Sequence, residues 1–287
     1  MRLVTFLSPA GPRAGVEVDG SYVDLHQADS ALPDNVRALL ALGTEGLEAA
    51  KRASQKAGAE KHAAGQVKLL PPVTDPRKIV CLGLNYKDHA EESGAKPPPE
   101  PVLFSKYPTA LTGPGDPIVL PPVSREVDYE AELVIVVGRG GRNIPKEYAR
   151  RHVAGYTCGH DVSARDWQLR KAGGQWMVGK TFDTFAPLGP ALVTADEVGD
   201  PHALGIRMKL NGQIMQSSNT AQMIFKVEDI IAYLSQVFTL EPGDLIFTGT
   251  PSGVGFARKP PVFLKAGDVA EVEIDRLGTL RNPVVQG

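Results

Sequence analysis

Three carboxylates, Asp128, Glu130 and Glu132, are spaced by two in the stretch VDYEAELVIVVG, Val127 to Gly138. The run that follows, Leu133-Val134-Ile135-Val136-Val137, is β-branched and apolar and ends at a glycine, so the stretch reads as a strand. Strand side chains alternate faces, which puts the three acids on one side with Val134 and Val136, and Tyr129, Ala131 and Leu133 on the other. Like charges on a strand that runs into a core repel one another. An isolated Glu-x-Glu fits a solvated strand edge, but a further acid, Asp161, ends the short apolar run of GYTCGHDVSARD. Carboxylates at three buried or half-buried strand positions, Glu130, Glu132 and Asp161, must share a cation or stay in mutual repulsion. An oxygen-only set without Cys or His suits Mg²⁺ or Mn²⁺ and leaves coordination positions for water and substrate.

Two further stretches carry reactive types. His89 and Glu92 sit three apart in NYKDHAEESG. If Asn85 caps a short helix and Gly94 ends it, both side chains share a face, and a carboxylate that orients an imidazole makes a general base. Taken by themselves, the same residues fit a solvated surface helix better. GQWMVGKT, Gly174 to Thr181, matches the phosphate-binding pattern G-x-x-x-x-G-K-[ST]. That loop needs a buried strand before it and a helix after it. Here RDWQLRKAGG precedes, and TFDTFAPLGP, with Pro187 and Pro190, follows. Nucleotide binding is therefore rejected, and Lys180 needs another role.

The elements that must position these groups are mostly strands. The chain has 287 residues, 42% hydrophobic and 22% charged, with a net charge of −2. That balance points away from nucleic acid and anionic membrane surfaces as partners. No apolar run is long enough for a membrane span, and no signal-peptide core is evident. Cys81 and Cys158 cannot make a disulfide framework and read as buried thiols, which suggests a reducing, cytoplasmic setting. Residues 1–70 form one texture: strands in RLVTFL and GVEVDGSYVDL, then helices in NVRALLALG and EGLEAAKRASQKAGAEKHAAG. The proline-marked LLPPVTDPRK separates them from a second, strand-rich domain, residues 71–287. There, IRMKLNGQIMQ carries the hairpin signal Asn211-Gly212. KEYARRHVA and MIFKVEDIIAYLSQV are the helix candidates, the latter with Ile224, Val227, Ile231 and Leu234 at helical spacing. The fold class expected is β-rich α+β.

From Pro76 to the C-terminus the chain resembles the fumarylacetoacetate hydrolase family. GLNYKDHAEE, PVLFSK, DYEAELVIVVG, GHDVSARDWQ, GKTFDTFAPLGP, LNGQIMQSSNT and GDLIFTGTPSGVG carry the resemblance in that order. QWMVGKTFDTFAPLGPALVT, PHALGIRMKLNG and RKPPVFLKAGD look most like the branch called fumarylacetoacetate hydrolase domain-containing protein 2. The resemblance implies a mixed β-sandwich roll behind a small N-terminal α+β domain, a homodimer, and Mg²⁺ or Mn²⁺ on Glu130, Glu132 and Asp161. It leaves Asp128 outside the ligand set, on the same face. It puts His89 and Glu92 on a lid and gives Lys180 the developing oxyanion. Arg165 and Gln168 would contact the substrate's carboxylate or oxo group, against the alternative of an Arg165–Asp166 ion pair. Thr250 would offer a hydroxyl or backbone donor, against plain turn structure, with Lys106 nearby. His26, His62, His152, His160 and His202 are assigned to structure or surface. Substrates in the family are 2-oxo or β-diketo acids, and an α-oxo-carboxylate chelates a hard cation through two oxygens, so that an enolate is stabilised. The branch favours oxaloacetate, by tautomerisation or decarboxylation. Hydrolytic C–C cleavage of an acylpyruvate or fumarylpyruvate is the near competitor. A non-catalytic metal-binding scaffold would show damage at these sites, and the sequence shows none.

Overall fold

Every residue of the strand Ala131–Val137 is buried, so the run must have cover on both faces. The computed structural model, which describes residues 1–287, supplies it. Leu133, Ile135 and Val137 enter a core shared with Ile206, Met208, Val272 and Leu280 of a second sheet. Val134 and Val136 enter another core, shared with Leu25, Val36, Leu39 and Leu40 from the N-terminal region. The alternation read from the sequence thus separates two packing layers.

The large sheet has twelve strands. Its main path runs Lys61–Ala63, Ser21–Asp24, Gly11–Val18, Arg2–Ser8, Ala186–Thr194, Val153–His160, Ala131–Val137, Leu245–Phe247, Ile79–Gly83, Val102–Ser105. The second sheet has five strands: Gln213–Asn219, Gly205–Leu210, Val269–Ile274, Gly278–Gln286 and Ile118–Leu120. This is the expected β-rich α+β roll. Arg2–Ser8 pairs antiparallel with Ala186–Thr194, so the N-terminal strands extend the main sheet directly. Asn211 and Gly212 both take positive φ, 53° and 80°, and close the expected hairpin. No helix is long and apolar enough to cross a membrane.

Some element expectations need correction. The long N-terminal helix stops at Ser54, and its expected continuation instead forms the strand Lys61–Ala63, paired with Ser21–Asp24. Sheet pairing there outweighs local helix propensity, with Gly58 at positive φ marking the turn. KEYARRHVA is a 3₁₀ segment, Lys146–His152. Ile224 lies before the helix Val227–Val237, whose buried stripe is Val227, Ile230, Ile231 and Leu234.

Candidate metal centre and active site

The acidic stretch is not one continuous strand. Val127–Asp128 pairs with Ser163–Ala164 as a separate ribbon, and pairing resumes at Ala131, whose N–H donates to the Gln216 side chain at 2.8 Å. The acids nevertheless stay together. Glu130, Glu132 and Asp161 are all buried, and each offers an oxygen within 4.8 Å of the other two. Asp161 is placed by the end of Val153–His160, which pairs along Ala131–Val137.

Three cations surround four buried carboxylates. Lys180 Nζ donates to Glu130 Oε2 at 2.8 Å and to Asp161 Oδ2 at 2.7 Å. Lys106 Nζ lies 2.6 Å from Asp161 Oδ1, out of line for a hydrogen bond, and donates to the carbonyls of Val162, Lys180 and Phe185. Arg165 Nη2 lies 2.8 Å from Asp128 and 2.7 Å from Glu130, while its Nε donates to Asp128 at 2.8 Å. Phe104 and Phe256 stack near Lys180 and Arg165, 5.0 and 5.5 Å from their ring centres. Glu132 has no cationic partner; its Oε2 accepts from Gly249 N at 2.7 Å. Gly249 sits at φ +93°, a conformation that L side chains rarely adopt, so glycine there lets the backbone N–H face the acid.

The titration behaviour follows that arrangement. Burial opposes ionisation of Glu130, but Lys180 and then Arg165 overcome it and hold the carboxyl well below the usual range, with His89 helping. For Glu132, burial comes first, Asp161 and Glu130 add repulsion, and the carboxyl is pushed well above the usual range. Burial would also deprotonate Lys180, but Asp161 and Glu130 keep it charged. A buried carboxylate without a counter-charge is costly. The oxygen donor set and the uncompensated Glu132 both fit a hard divalent cation on Glu130, Glu132 and Asp161.

The other expected residues fall into two groups. His89 Nδ1 is 3.3 Å from Glu92 Oε2 on the helix Lys87–Glu92, and both side chains are only partly buried. Asn85 does not cap that helix. Its side chain bonds the backbone of Phe225 and Thr248 instead, and Tyr86 takes the cap position without a side-chain bond. Gly94, at φ +66°, follows the C-cap residue Ser93 as expected. Gln168 accepts from Arg165 Nη1 at 2.9 Å, which fixes its amide with Nε2 as the remaining donor. Gly179 lies where any Cβ would meet the Gln168 backbone at 2.5 Å, so glycine allows the two short helices carrying Gln168 and Lys180 to touch.

Arg165, Lys106 and Thr250 are each held by contacts within the protein. Arg165 is a buried clamp on Asp128 and Glu130; Asp166 instead accepts from Ser124 and from the Arg125 N–H, so the Arg165–Asp166 pair does not form. Lys106 is enclosed beneath Asp161, with its ammonium against that carboxylate and the Val162 carbonyl. The Thr250 hydroxyl donates to Ala131 O at 2.9 Å and accepts from Gln216, which leaves its backbone N–H as a donor. Gln216 itself escaped sequence reasoning, although it lies in LNGQIMQSSNT. It is buried beside Met215, opposite a register shift at Met208/Lys209, so simple alternation could not place it. His160 is buried and kept neutral by burial and then Lys106, with its pKa lowered to about 3.

The family described as fumarylacetoacetate (FAA) hydrolase C-terminal matches residues 78–285. The chain is 52% identical to oxaloacetate tautomerase fahd2, mitochondrial, of Xenopus laevis, covering 99% of this chain and 90% of that one. It is 51% identical to the Homo sapiens oxaloacetate tautomerase FAHD2A, mitochondrial, over 99% and 92% of the two chains. Among solved structures, fumarylacetoacetate hydrolase from Exiguobacterium antarcticum superposes with a TM-score of 0.87 at 37% identity, covering all of both chains. Maleylpyruvate hydrolase from Sphingobium sp. SYK-6, in complex with manganese(II) and pyruvate, gives 0.81 at 36%, again over all of both chains. The protein belongs to the fumarylacetoacetate hydrolase family of metal-dependent enzymes.

Proposed function

We propose that this enzyme interconverts the enol and keto forms of oxaloacetate. The observation that carries the reading is the buried Glu130–Glu132–Asp161 set, in which Glu132 alone has no counter-cation. It is supported by relatives named oxaloacetate tautomerase at 51–52% identity. Mg²⁺ or Mn²⁺ on that set would supply Lewis-acid polarisation of an α-oxo-carboxylate. Manganese and pyruvate in the Sphingobium complex support a cation next to a 2-oxo acid.

The remaining work falls to side chains. With Glu92 accepting from Nδ1–H, His89 keeps Nε2 as the free nitrogen that exchanges the C3 proton. Lys180, held charged, stabilises negative charge on the enol oxygen. Gln168 Nε2 and the Thr250 N–H offer donors to the substrate carboxylates. Arg165 and Lys106 act from behind, holding Glu130 and Asp161 in place.

A homodimer in a reducing compartment belongs to the same reading. The two buried free thiols support the compartment, and both cytosol and mitochondrion satisfy it. The division at residue 70 is also a proposal, supported by a family match that begins at residue 78.

Hydrolysis of a maleylpyruvate-type diketo acid is the second reading, favoured by the Sphingobium likeness. An NMR time course started from enol-oxaloacetate with Mg²⁺ separates the cases. The expected result is enol-to-keto conversion faster than the Mg²⁺-only control without extra pyruvate. Accelerated pyruvate formation would make the enzyme a decarboxylase. No acceleration of either would overturn the oxaloacetate reading and leave diketo-acid hydrolysis to test.

A further inference from the structure

The loop from Gly249 to Phe256 touches four acids in and around the site: Glu132, Asp128, Glu92 and Asp88. Gly249 N donates to Glu132 at 2.7 Å, and Gly255 N and Phe256 N donate to Asp128 at 2.7 and 3.0 Å. Gly253 N donates to Glu92 Oε1 at 2.9 Å, and Ser252 Oγ lies 3.4 Å from Asp88 Oδ2. Asp88 also accepts from Ser218 Oγ at 2.5 Å, across to the strand Gln213–Asn219 of the second sheet. Its other oxygen accepts from the His89 N–H at 2.9 Å, within the first turn of the helix.

The helix Lys87–Glu92 needs such ties. It spans six residues, has no side-chain cap and buries only Ala90. A helix that short has little stability of its own in water. The residues after it, Ser93 to Pro97, are exposed. Asp88 and Glu92 are therefore its side-chain anchors, and Glu92 also faces His89.

We propose that Asp88 is a positioning residue that latches the His89 helix onto Ser218 and Ser252, fixing the position of the imidazole. The latch acts through His89 and so rests on the reading of His89 as the proton-exchanging group. Its charge strengthens the hydrogen bond from Ser218, and the bond joins the helix to the strand that also carries Gln216, the partner of Ala131 and Thr250. The 249–256 loop contacts both this helix, through Glu92, and Glu132.

Ser218→Ala removes the latch hydroxyl and leaves Asp88, His89 and the carboxylates intact. We expect kcat/KM for enol-to-keto conversion with Mg²⁺ to fall about tenfold, the scale of one hydrogen bond to a charged group. Ser218→Thr, which keeps a hydroxyl, should recover most of it. In a His89→Ala background, Ser218→Ala should change the residual rate by less than about twofold. Hydrogen exchange read on the same proteins without substrate should quicken at residues 87–92 and stay unchanged at 131–137.

Unchanged exchange at 87–92 in Ser218→Ala overturns the latch, whatever the activity shows. An equal loss of rate in the His89→Ala background overturns its action through His89. If exchange quickens as expected but the wild type does not convert oxaloacetate, the latch stands and the proposed reaction fails.

Discussion

The two halves of the active site are built in opposite ways. The carboxylate platform is buried, and Arg165, Lys106 and Lys180 cross-tie its acids from separate elements. The His89 helix is one and a half turns of half-exposed chain held by a few polar contacts. Charge kept out of water is strong but leaves little freedom, which suits a platform that must hold a cation in fixed geometry. A lightly held helix can deliver a proton-exchanging group and still let substrate pass. The difference teaches that function and stability should separate between the two.

The sharpest separation is expected at the helix. His89→Ala should lower enol–keto turnover by about 10²- to 10⁴-fold, the range for a lost general base. Thermal unfolding should show a stability change within about 0.5 kcal/mol, as for a partly exposed side chain. A large loss of stability would erase the contrast.

Lys180→Ala should behave oppositely in stability. It leaves Glu130 and Asp161 each short of a buried cation, and removing one partner of such a pair costs about 3–5 kcal/mol. Chemical denaturation measures it; a cost below about 1 kcal/mol would mean that the platform is not held by charge.

The pH dependence sharpens the same point. Glu132 is raised in the folded chain, first by burial and then by Asp161 and Glu130. The folded state therefore binds more protons there than the unfolded one, and stability falls as pH rises above the ordinary glutamate range of about 4.3. Glu130 is lowered by Lys180 and Arg165 against burial, so its contribution is present above that range and lost as pH falls through it. Chelator-treated protein should accordingly lose stability from about pH 5 towards neutrality, while saturating Mg²⁺ should remove that loss. Glu132→Gln should flatten the slope without Mg²⁺, and a slope that survives the substitution would assign it elsewhere.

The smallest effect lies away from both halves. Asn211→Ala forces a positive φ of 53° on alanine in the hairpin turn. It should cost about 1 kcal/mol of stability with turnover unchanged. A change in turnover would connect the second sheet to the site more tightly than the Ser218 contact does.

What was legible in the sequence follows from how local each signal is. Ala131–Val137 announces its two faces through alternation, and Asn211-Gly212 announces its turn, because both depend on neighbours in the chain. The Glu-x-Glu spacing with Asp161 led to a set that the fold does bring together. The resemblance pointed to Arg165 and Lys106, but not to their enclosure, since contacts such as Arg165 to Asp128 join positions far apart in sequence. Gln216 and Asp88 stayed invisible for the same reason: a polar residue on a strand or a charged helix reads as solvent-facing until its partner is placed. The strand Lys61–Ala63 was hidden by helix-forming composition that sheet pairing overrode.

The most direct test of the account is the enol-to-keto rate of oxaloacetate measured against Mg²⁺ concentration for wild type and His89→Ala. The same half-saturating Mg²⁺ is expected in both, with a plateau at least about 10²-fold lower in the variant. An unchanged plateau would remove His89 from the chemistry. A large shift in half-saturation would show that the helix and the platform are one unit after all.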